Sequence, residues 1–306
     1  PMILSTHVSL FDMMFGDRKE SVFGFHQLMN SIVILDEIQS YNNQLWGEIS
    51  YFLKEFAYLM NIKIVIMSAT LPDFDKLTNQ IYPAVRLMEN REKYFQNPCF
   101  RNRVKISYEL LDCENIEDAL TEHIRKSSAK NKKILVEFIK KGSAYKFFQR
   151  LLEDEEISCD VEYMSGDDSV IERRRILEKI KSSQKGIILV ATQVIEAGVD
   201  IDMDIGYKNI SKLDSEEQFM GRINRSCKRE GEVYFFKLDD GKEIYKGDVR
   251  IQKPFTLENQ QVRELLREKD FGVYYDGILE VIKRNFNDNT GETGLKDFFQ
   301  NQVGKL

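Results

Sequence analysis

Two adjacent carboxylates, Asp36 and Glu37, follow directly after the short, apolar and β-branched run at residues 31–35. If this run is a strand of a buried parallel sheet, both carboxylates lie at its carboxyl edge, where open α/β sheets bind their ligands. One carboxylate can then hold a hydrated Mg²⁺, and its neighbour can orient or deprotonate a water that attacks a phosphoryl group. The pair could also serve only to cap the following segment, and these two residues alone do not decide between the interpretations.

Ser68 and Thr70, with Ala69 between them, follow a second apolar run at residues 62–67. Two small hydroxyl residues on a tight loop can relay a hydrogen bond from a phosphate to a neighbouring domain. Serine and threonine are common where strands end, so the tripeptide is a weak signal on its own. It gains weight because Ser68 comes 32 positions after Asp36, in the same strand-and-loop context.

The most specific pattern in the chain is Thr-Gln-Val-Ile-Glu-Ala-Gly-Val-Asp-Ile-Asp at residues 192–202, directly after an apolar run. Thr192 at a strand end could donate a hydrogen bond to a nucleic-acid phosphate, and Gly198 permits close approach of the backbone. Asp200 could accept from a ribose hydroxyl or pair with an arginine. A generic turn around one glycine would leave the spacing of the polar residues unexplained.

Residues 218–225, Gln-Phe-Met-Gly-Arg-Ile-Asn-Arg, place Arg222 and Arg225 three positions apart. On a helix, the two guanidinium groups would share one face. Beside Gly221, that face would suit a polyphosphate, and the arginines could stabilise the charge that develops on a transferred phosphoryl group. The alternative is a solvated basic face that continues to Lys228.

The elements that must position these residues alternate between strands and helices. Residues 31–35 and 62–67 are typical of buried parallel strands, and the apolar residues between them recur at helical spacing. The alternation continues through residues 104–240 and predicts a complete α/β unit. Its predicted strands are 104–110, 133–139, 160–163, 186–191, 204–209 and 232–238, and its predicted helices are 116–125, 143–153, 170–181 and 215–223. We therefore expect four regions, namely 1–85, a linker at 86–103, 104–240, and a mostly helical region at 241–306 with helices at 257–269 and 277–284.

The composition limits the class of protein. The 306 residues are 42% hydrophobic and 31% charged, which is ordinary for a globular protein of about two domains. No apolar run approaches the roughly 20 residues that span a bilayer, so we expect no membrane partner. Four cysteines without metal-type spacing, and no visible secretory signal, predict a cytoplasmic location. The net charge of −6 argues against a protein that coats nucleic acid non-specifically, although a local basic groove remains compatible with it.

The four patterns stand in the order and context of motifs II, III, V and VI of superfamily 2 helicases. The sequence of residues 191–202, together with Leu-Asp-Ser at 213–215, resembles that of the helicase–nuclease of type I CRISPR interference. Residues 5–11 resemble its motif Ib region, where strand-end hydroxyls touch the DNA backbone. Met-Ser-Gly at 164–166 resembles its loop that holds a DNA phosphate. The resemblance covers about residues 3–240.

The resemblance implies an α/β fold of two RecA-like lobes with parallel sheets, the first truncated at its N-terminus and the second complete, plus a short helical C-terminal region. It implies that ATP and Mg²⁺ sit between the lobes, with the metal at Asp36 and Glu37. Glu37 would also hold the attacking water, Gln39 would link to the opposite lobe, and Arg222 and Arg225 would contact the γ-phosphate. The other implied nucleotide contacts are Ser68, Thr70, Gly198, Asp200 and Gln218. Single-stranded DNA would pass Thr6, His7, Ser165 and Thr192.

The chain also departs from the family pattern. Its Gly-Lys pairs are followed by Glu and Leu rather than Ser or Thr, so no P-loop is present. None of the three histidines is followed by Asp, so the His-Asp nuclease domain is not encoded either. Glu137-Phe138 stand where members commonly carry Asn-Thr, and Met220 stands where they carry a small residue.

We therefore expect a C-terminal fragment of the helicase that hydrolyses essentially no ATP by itself. Its expected partners are single-stranded DNA, the type I CRISPR effector complex and the missing N-terminal part of the helicase. The alternative from another class is a non-catalytic short form that binds DNA, the effector complex or the full-length enzyme and regulates it.

Overall fold

The computed structural model describes residues 2–15, 18–78, 82–196 and 198–289. The chain divides into two compact units: unit 1 holds residues 1–86 and the helix that begins at Phe271, and unit 2 holds residues 87–270. The segment expected to be one C-terminal region is therefore shared between the units, and its part after residue 289 lies outside the described residues. The boundaries of the two lobes stay predictions.

The described residues form eight strands and eleven helices, besides short 3₁₀ turns. The strands are β1 (Ile32–Asp36), β2 (Lys63–Met67), β3 (Val104–Ser107), β4 (Lys133–Glu137), β5 (Asp160–Met164), β6 (Ile187–Ala191), β7 (Ile205–Asn209) and β8 (Gly231–Phe236). The helices are α1 (His7–Phe15), α2 (Lys19–Phe23), α3 (Trp46–Leu59), α4 (Arg91–Phe95), α5 (Pro98–Arg101), α6 (Ile116–Ser128), α7 (Lys141–Leu152), α8 (Val170–Ser182), α9 (Leu213–Met220), α10 (Gln260–Glu268) and α11 (Phe271–Asn289).

Unit 1 is built on a two-stranded parallel sheet of β1 and β2, joined by the crossover helix α3. The sheet pairs Asp36 with Met67, so the two strands end side by side at their carboxyl edge. On one face, Leu35 and other apolar side chains of both strands pack against α3, where Leu53 is buried. Burial of this face holds the helix on the sheet.

The opposite face of this sheet is apolar and open. Ile32 is 71% exposed, Ile34 61% and Met67 45%. Parallel sheets occur almost only with both faces covered, so this exposed face is unusual for its strand type.

Helix α11 completes unit 1 from the far end of the chain. Tyr275 and Ile278 are buried, and the Tyr275 ring lies 5.9 Å from that of Trp46, which is itself fully buried. Lys76 and Asp276 form an ion pair at 2.5 Å. The helix predicted at 277–284 is thus present but extends further at both ends.

Unit 2 is a six-stranded parallel sheet in the order β3-β8-β7-β4-β6-β5 with helices around it. The central strands β4, β6 and β7 are almost wholly buried, as the continuous apolar runs of a doubly covered sheet require. All six strands predicted for residues 104–240 are present, so the α/β fold with parallel sheets is confirmed. The predicted strand at 104–110 ends at Ser107, and the linker predicted at 86–103 contains the short helices α4 and α5.

The helix predicted at 215–223 is wrong at its C-terminal end, because α9 ends at Met220. Beyond Gly221 the backbone turns away to pair with the segment before β7, where Ile223 and Met203 form a parallel bridge. Asn224 then adopts a left-handed conformation, with φ of 46°, and its N–H donates to the Met203 carbonyl at 2.7 Å. These backbone contacts replace the helical ones that the sequence pattern favours.

Candidate functional site

The two acidic residues stand at a sharp turn at the end of β1. Asp36 is the last residue of the strand, and Glu37 has the left-handed φ of 54°. Such a conformation costs a non-glycine residue about 1–2 kcal/mol. It is held here because the Glu37 N–H donates to the Met67 carbonyl at 3.0 Å, across the sheet. The buried amide of Gln39 donates to the Glu37 carboxylate. The residue implied to hold the attacking water is therefore hydrogen-bonded to the residue implied to link to the opposite lobe.

The hydroxyl loop lies beside the acidic turn. The Thr70 N–H donates to Ser68 Oγ at 3.0 Å and closes the loop after β2. Thr70 is 1% exposed, and its hydroxyl oxygen lies 3.5 Å from that of Tyr275 on α11. Because Asp36 and Met67 are paired in the sheet, Ser68 and Glu37 follow adjacent strand ends.

Thr6 and His7 occupy the start of a helix rather than the end of a strand. Thr6 Oγ1 accepts the N–H of Ser9 at 3.2 Å and so caps α1, which begins at His7. The His7 ring meets the ring of Tyr41 edge-on, with 4.7 Å between centroids. The expectation of strand-end hydroxyls in this segment is therefore wrong, although both residues are exposed.

Ser165 and Thr192 lie side by side at the carboxyl edge of the sheet in unit 2. They follow the paired residues Met164 and Ala191, and the Thr192 N–H donates to the Met164 carbonyl at 3.1 Å. Arg173 on α8 donates to the backbone carbonyl of Ser165 at 3.2 Å, which holds the loop after β5 in place. This arginine therefore supports the loop.

Asp200, between β6 and β7, and Arg225, between α9 and β8, form a second group. Asp200 Oδ1 lies 3.4 Å from Arg225 Nε, and both residues are exposed. Of the two partners that the sequence allowed for Asp200, the structure shows an arginine. Gly198 has φ of +72° with open space where a Cβ would stand, so only its backbone conformation requires glycine. Ala197 lies outside the described residues.

Arg222 and Arg225 do not share a helix face, because both lie beyond the end of α9. Arg222 Nε donates to the Ile195 carbonyl at 3.0 Å, and its terminal nitrogen donates to the Glu196 carbonyl. Arg222 thereby holds the loop that follows β6. Gln218 stays within α9 and is half-buried.

Sequence analysis missed a buried charged cluster next to this loop. Lys208 on β7 is fully buried, donates to Glu137 at the end of β4, and lies 3.0 Å from Glu196 Oε1 and 3.7 Å from Glu216 Oε2. The Ser215 hydroxyl donates to the Glu196 carboxylate. The available signal was a lysine within a strand that is otherwise buried, since such a charge needs partners.

Burial and the shared lysine set the protonation of the cluster. Burial raises the pKa of Glu216 to about 8, against the opposing effect of Lys208. Burial likewise raises the pKa of Glu137 well above its ordinary value. Burial by itself would lower the pKa of Lys208, but the three carboxylates raise it well above its ordinary value. The lysine is therefore charged at neutral pH, whereas Glu216 largely keeps its proton.

A second buried ion pair fixes α9. Arg250, fully buried, donates to both carboxylate oxygens of Asp248 and lies 3.2 Å from Asp214 Oδ2 in the first turn of α9. The segment that follows β8 is thereby tied to the helix that carries Gln218.

The carboxylates fit Mg²⁺ only together with a nucleotide. Among the described residues, no group of three or more His, Cys, Asp or Glu could hold a metal ion by itself. Asp36 and Glu37 supply two carboxylates, and Mg²⁺ at phosphoryl-transfer sites takes one or two from the protein and completes its shell with phosphates and water. None of the helices within the described ranges is long and apolar enough to cross a membrane.

Comparison with solved structures defines the fold class. The crystal structure of T. fusca Cas3-AMPPNP matches with a TM-score of 0.63 and 13% identity over 97% of this chain and 41% of that chain. T. fusca Cas3-ADP matches with a TM-score of 0.60 and 14% identity over 84% of this chain and 36% of that chain. The fold is therefore that of RecA-like helicase domains.

The family follows from the sequence comparison. The family model described as CRISPR-associated nuclease/helicase Cas3, C-terminal, matches residues 76–228, half of the chain. The chain belongs to this Cas3 family. It is 25% identical to the CRISPR-associated nuclease/helicase Cas3 of Methanothermobacter thermautotrophicus over 98% of this chain and 35% of that protein. It is 28% identical to the putative Cas3 of Methanocaldococcus jannaschii over 71% of this chain and 30% of that protein. The chain thus spans about a third of the length of these relatives.

Proposed function

We propose that this chain supplies motor residues of an ATP-dependent DNA helicase that reels in target DNA during type I CRISPR interference. The observation that carries the proposal is the acidic turn at Glu37. The Glu37 N–H is hydrogen-bonded across the sheet to Met67, and Met67 is followed directly by the Ser68–Thr70 loop. Membership of the Cas3 family supports the same conclusion.

The acidic turn would act on the terminal phosphate of ATP. Asp36 would hold Mg²⁺, which supplies positive charge against the phosphates when bound. Glu37 would orient the attacking water and take its proton, and the hydrogen bond from Gln39 fixes the direction of the Glu37 carboxylate. Ser68 and Thr70, on the adjacent loop, would transmit the state of the phosphate.

Unit 2 would contribute the charge-stabilising arginines and the nucleotide contacts of the motor. Arg225 is exposed, and its partner Asp200 is exposed as well, so the guanidinium can exchange that partner for a phosphate at small cost. Arg222 would act from its place beyond the end of α9, where it also holds the loop that follows β6. Gly198 and Gln218 complete the proposed nucleotide contacts.

Single-stranded DNA would bind through backbone contacts at strand ends and helix starts. Ser165 and Thr192 stand together at the carboxyl edge of unit 2, and phosphate contacts of this kind position a strand without reading its sequence. Thr6 and His7 would make the corresponding contacts from unit 1. ATP-driven motion would move DNA past these residues.

A polypeptide that carries a P-loop would complete the first lobe. The exposed side chains of Ile32, Ile34 and Met67 provide an apolar sheet face on which such a segment could pack, and open strand edges readily take a further strand. The relatives are about three times as long as this chain, which leaves room for such a segment. The type I CRISPR effector complex would be the partner that loads the assembled helicase.

The absence of a Gly-Lys-Ser/Thr sequence among the 306 residues favours the second candidate, a non-catalytic regulatory form. One experiment separates the two candidates. ATP hydrolysis is measured with single-stranded DNA for the chain alone and for the chain fused to an upstream Cas3 segment that contains the P-loop. The proposal predicts essentially no hydrolysis by the chain alone and DNA-stimulated hydrolysis by the fusion. A properly folded but inactive fusion would favour the regulatory form.

A further inference from the structure

We infer that Lys208 is a positioning residue for Arg222, acting through the loop that follows β6. The inference rests on the proposed function in one respect, because it gives Arg222 a place in ATP hydrolysis. It adds a residue from β7, outside every sequence motif considered above.

A continuous path of contacts runs from Lys208 to Arg222 through one residue, Glu196. The Glu196 carboxylate lies 3.0 Å from Lys208 Nζ, and the backbone carbonyl of the same residue accepts a hydrogen bond from Arg222. The neighbouring Ile195 carbonyl accepts a second bond from Arg222 at 3.0 Å. A shift of Glu196 toward or away from Lys208 therefore moves the acceptors that hold the guanidinium of Arg222.

The same lysine joins the loop to two neighbouring segments. Glu137 comes from the end of β4, Glu216 from α9, and Glu196 from the loop itself, and each carboxylate faces Lys208. Ser215 on α9 donates to the Glu196 carboxylate and adds a neutral contact from the helix. Lys208 is thus the common partner of every acidic group in the cluster.

Burial makes this arrangement specific. Lys208 and Glu137 are fully buried, and a buried charge without its partner is strongly unfavourable. The loop is therefore bound to the one position that brings Glu196 to Lys208. The competing explanation is that apolar packing of Ile195, which is also fully buried, fixes the loop without any electrostatic contribution.

Amide hydrogen exchange of the chain separates these explanations without ATP. The Glu196 N–H donates to the Gln193 carbonyl at 3.0 Å and reports the loop, while the Leu135 amide in β4 reports the fold of unit 2. Lys208→Met should speed exchange at Glu196 at least tenfold. That variant leaves buried carboxylates without their cation, which destabilises unit 2. A second variant, Lys208→Met/Glu137→Gln/Glu196→Gln, therefore removes the charges together.

The triple variant decides the outcome. We expect protection at Leu135 close to the wild-type level and exchange at Glu196 still at least tenfold faster. Wild-type exchange at Glu196 in the triple variant would overturn the inference in favour of apolar packing. The matched control is Lys237→Met, which removes a half-exposed lysine paired with Glu258 at 2.8 Å and should leave the loop unchanged.

A kinetic measurement tests the link to Arg222. In the fusion with the P-loop segment, the triple variant should lower kcat for ATP at least tenfold and change KM less than twofold, as expected for loss of a contact made in the transition state. Lys208→Arg, which keeps the charge, should keep a higher kcat than the triple variant. An unchanged kcat in the triple variant would contradict the link. A wild-type fusion without ATP hydrolysis would contradict the proposed function alone, since the exchange experiment still decides whether Lys208 positions the loop.

Discussion

The hydroxyl oxygens of Thr70 and Tyr275 lie 3.5 Å apart, although 205 positions separate the two residues in the chain. Both side chains are buried, and Tyr275 also packs near Trp46 at the start of α3. The helix near the C-terminus is therefore an integral part of unit 1. It supports the loop to which we assign a role in phosphate sensing.

Removal of the Tyr275 side chain should destabilise unit 1. Tyr275→Ala should lower its free energy of unfolding by about 3–5 kcal/mol, the usual cost of deleting a buried aromatic side chain. Trp46 is the only tryptophan in the sequence, so its fluorescence reports this unit selectively. The emission should shift to the red and the urea midpoint should fall. Tyr94→Ala, which removes a side chain that is 61% exposed, is the control, and equal midpoints for both variants would refute the role of Tyr275.

The buried ion pair of Arg250 should be far more sensitive than pairs on the surface. Arg250→Ala leaves Asp214 and Asp248 buried without their cation and should cost unit 2 about 3–5 kcal/mol. Arg101→Ala breaks a half-exposed pair with Glu268 and should cost about 0–1 kcal/mol. Circular dichroism during urea unfolding measures both losses. Similar losses of unfolding free energy in the two variants would mean that the buried pairs of Arg250 stabilise unit 2 no more than a surface pair does.

The sequence predicted the strands better than the ends of helices. Continuous apolar runs such as residues 186–191 identify buried parallel strands, because both faces of such strands are covered. The end of α9 could not be predicted in this way. Ile223 leaves the helical pattern only because Met203, distant in sequence, offers it a backbone partner.

The candidate site was predicted unevenly for a related reason. The placement of Glu37 and Ser68 next to strand ends could be predicted, because it depends on local sequence. Lys208 was missed, because its role depends on carboxylates from three segments that meet only in the folded unit. Arg222 was predicted as a site residue, but its hydrogen bonds to the loop carbonyls could not be predicted from spacing.

The raised pKa of Glu216 should make unit 2 less stable as the pH rises. The folded pKa is about 8 and the ordinary value 4.5, so between these values the unfolded chain releases a proton that the folded chain retains. The contribution of Glu216 to the free energy of unfolding is fully present below about pH 4.5. It falls by up to about 1.4 kcal/mol per pH unit through this window and is lost above about pH 8. Glu216→Gln should remove this slope. Lys208, Glu196, Asp214 and Tyr245 interact with Glu216 and must stay unchanged in the comparison.

The measurement is the free energy of unfolding of both proteins at pH 5, 6, 7 and 8. The difference between Glu216→Gln and wild type should grow in favour of the variant as the pH rises. Glu230→Gln, at an exposed residue paired with Lys105, is the control and should show no such growth. A difference that is constant from pH 5 to pH 8 would show that Glu216 is ionised in the folded chain.

The apolar face of unit 1 should be needed for docking of the upstream segment. Ile34→Lys places a charge on this face, where the side chain is 61% exposed, and should weaken association with a separately produced P-loop segment at least tenfold while Trp46 fluorescence stays at its wild-type maximum. Ile171→Lys, at an 82% exposed position of unit 2, is the control. Sedimentation of the mixed proteins measures the association, and equal affinities for both variants would exclude this face as the docking surface.

The most direct test of the central claim is the ATP turnover of the fused protein with single-stranded DNA, compared between wild type, Glu37→Gln and Arg225→Ala. The account predicts DNA-stimulated turnover by the wild type, and losses of about 10³-fold or more in the Arg225 variant, as for other arginines that stabilise a transferred phosphoryl group. Glu37→Gln should be similarly inactive, whereas Glu280→Gln and Arg101→Ala, at exposed positions, should match the wild type. An active wild-type fusion whose rate survives Glu37→Gln or Arg225→Ala would contradict the assignment of these residues to ATP hydrolysis.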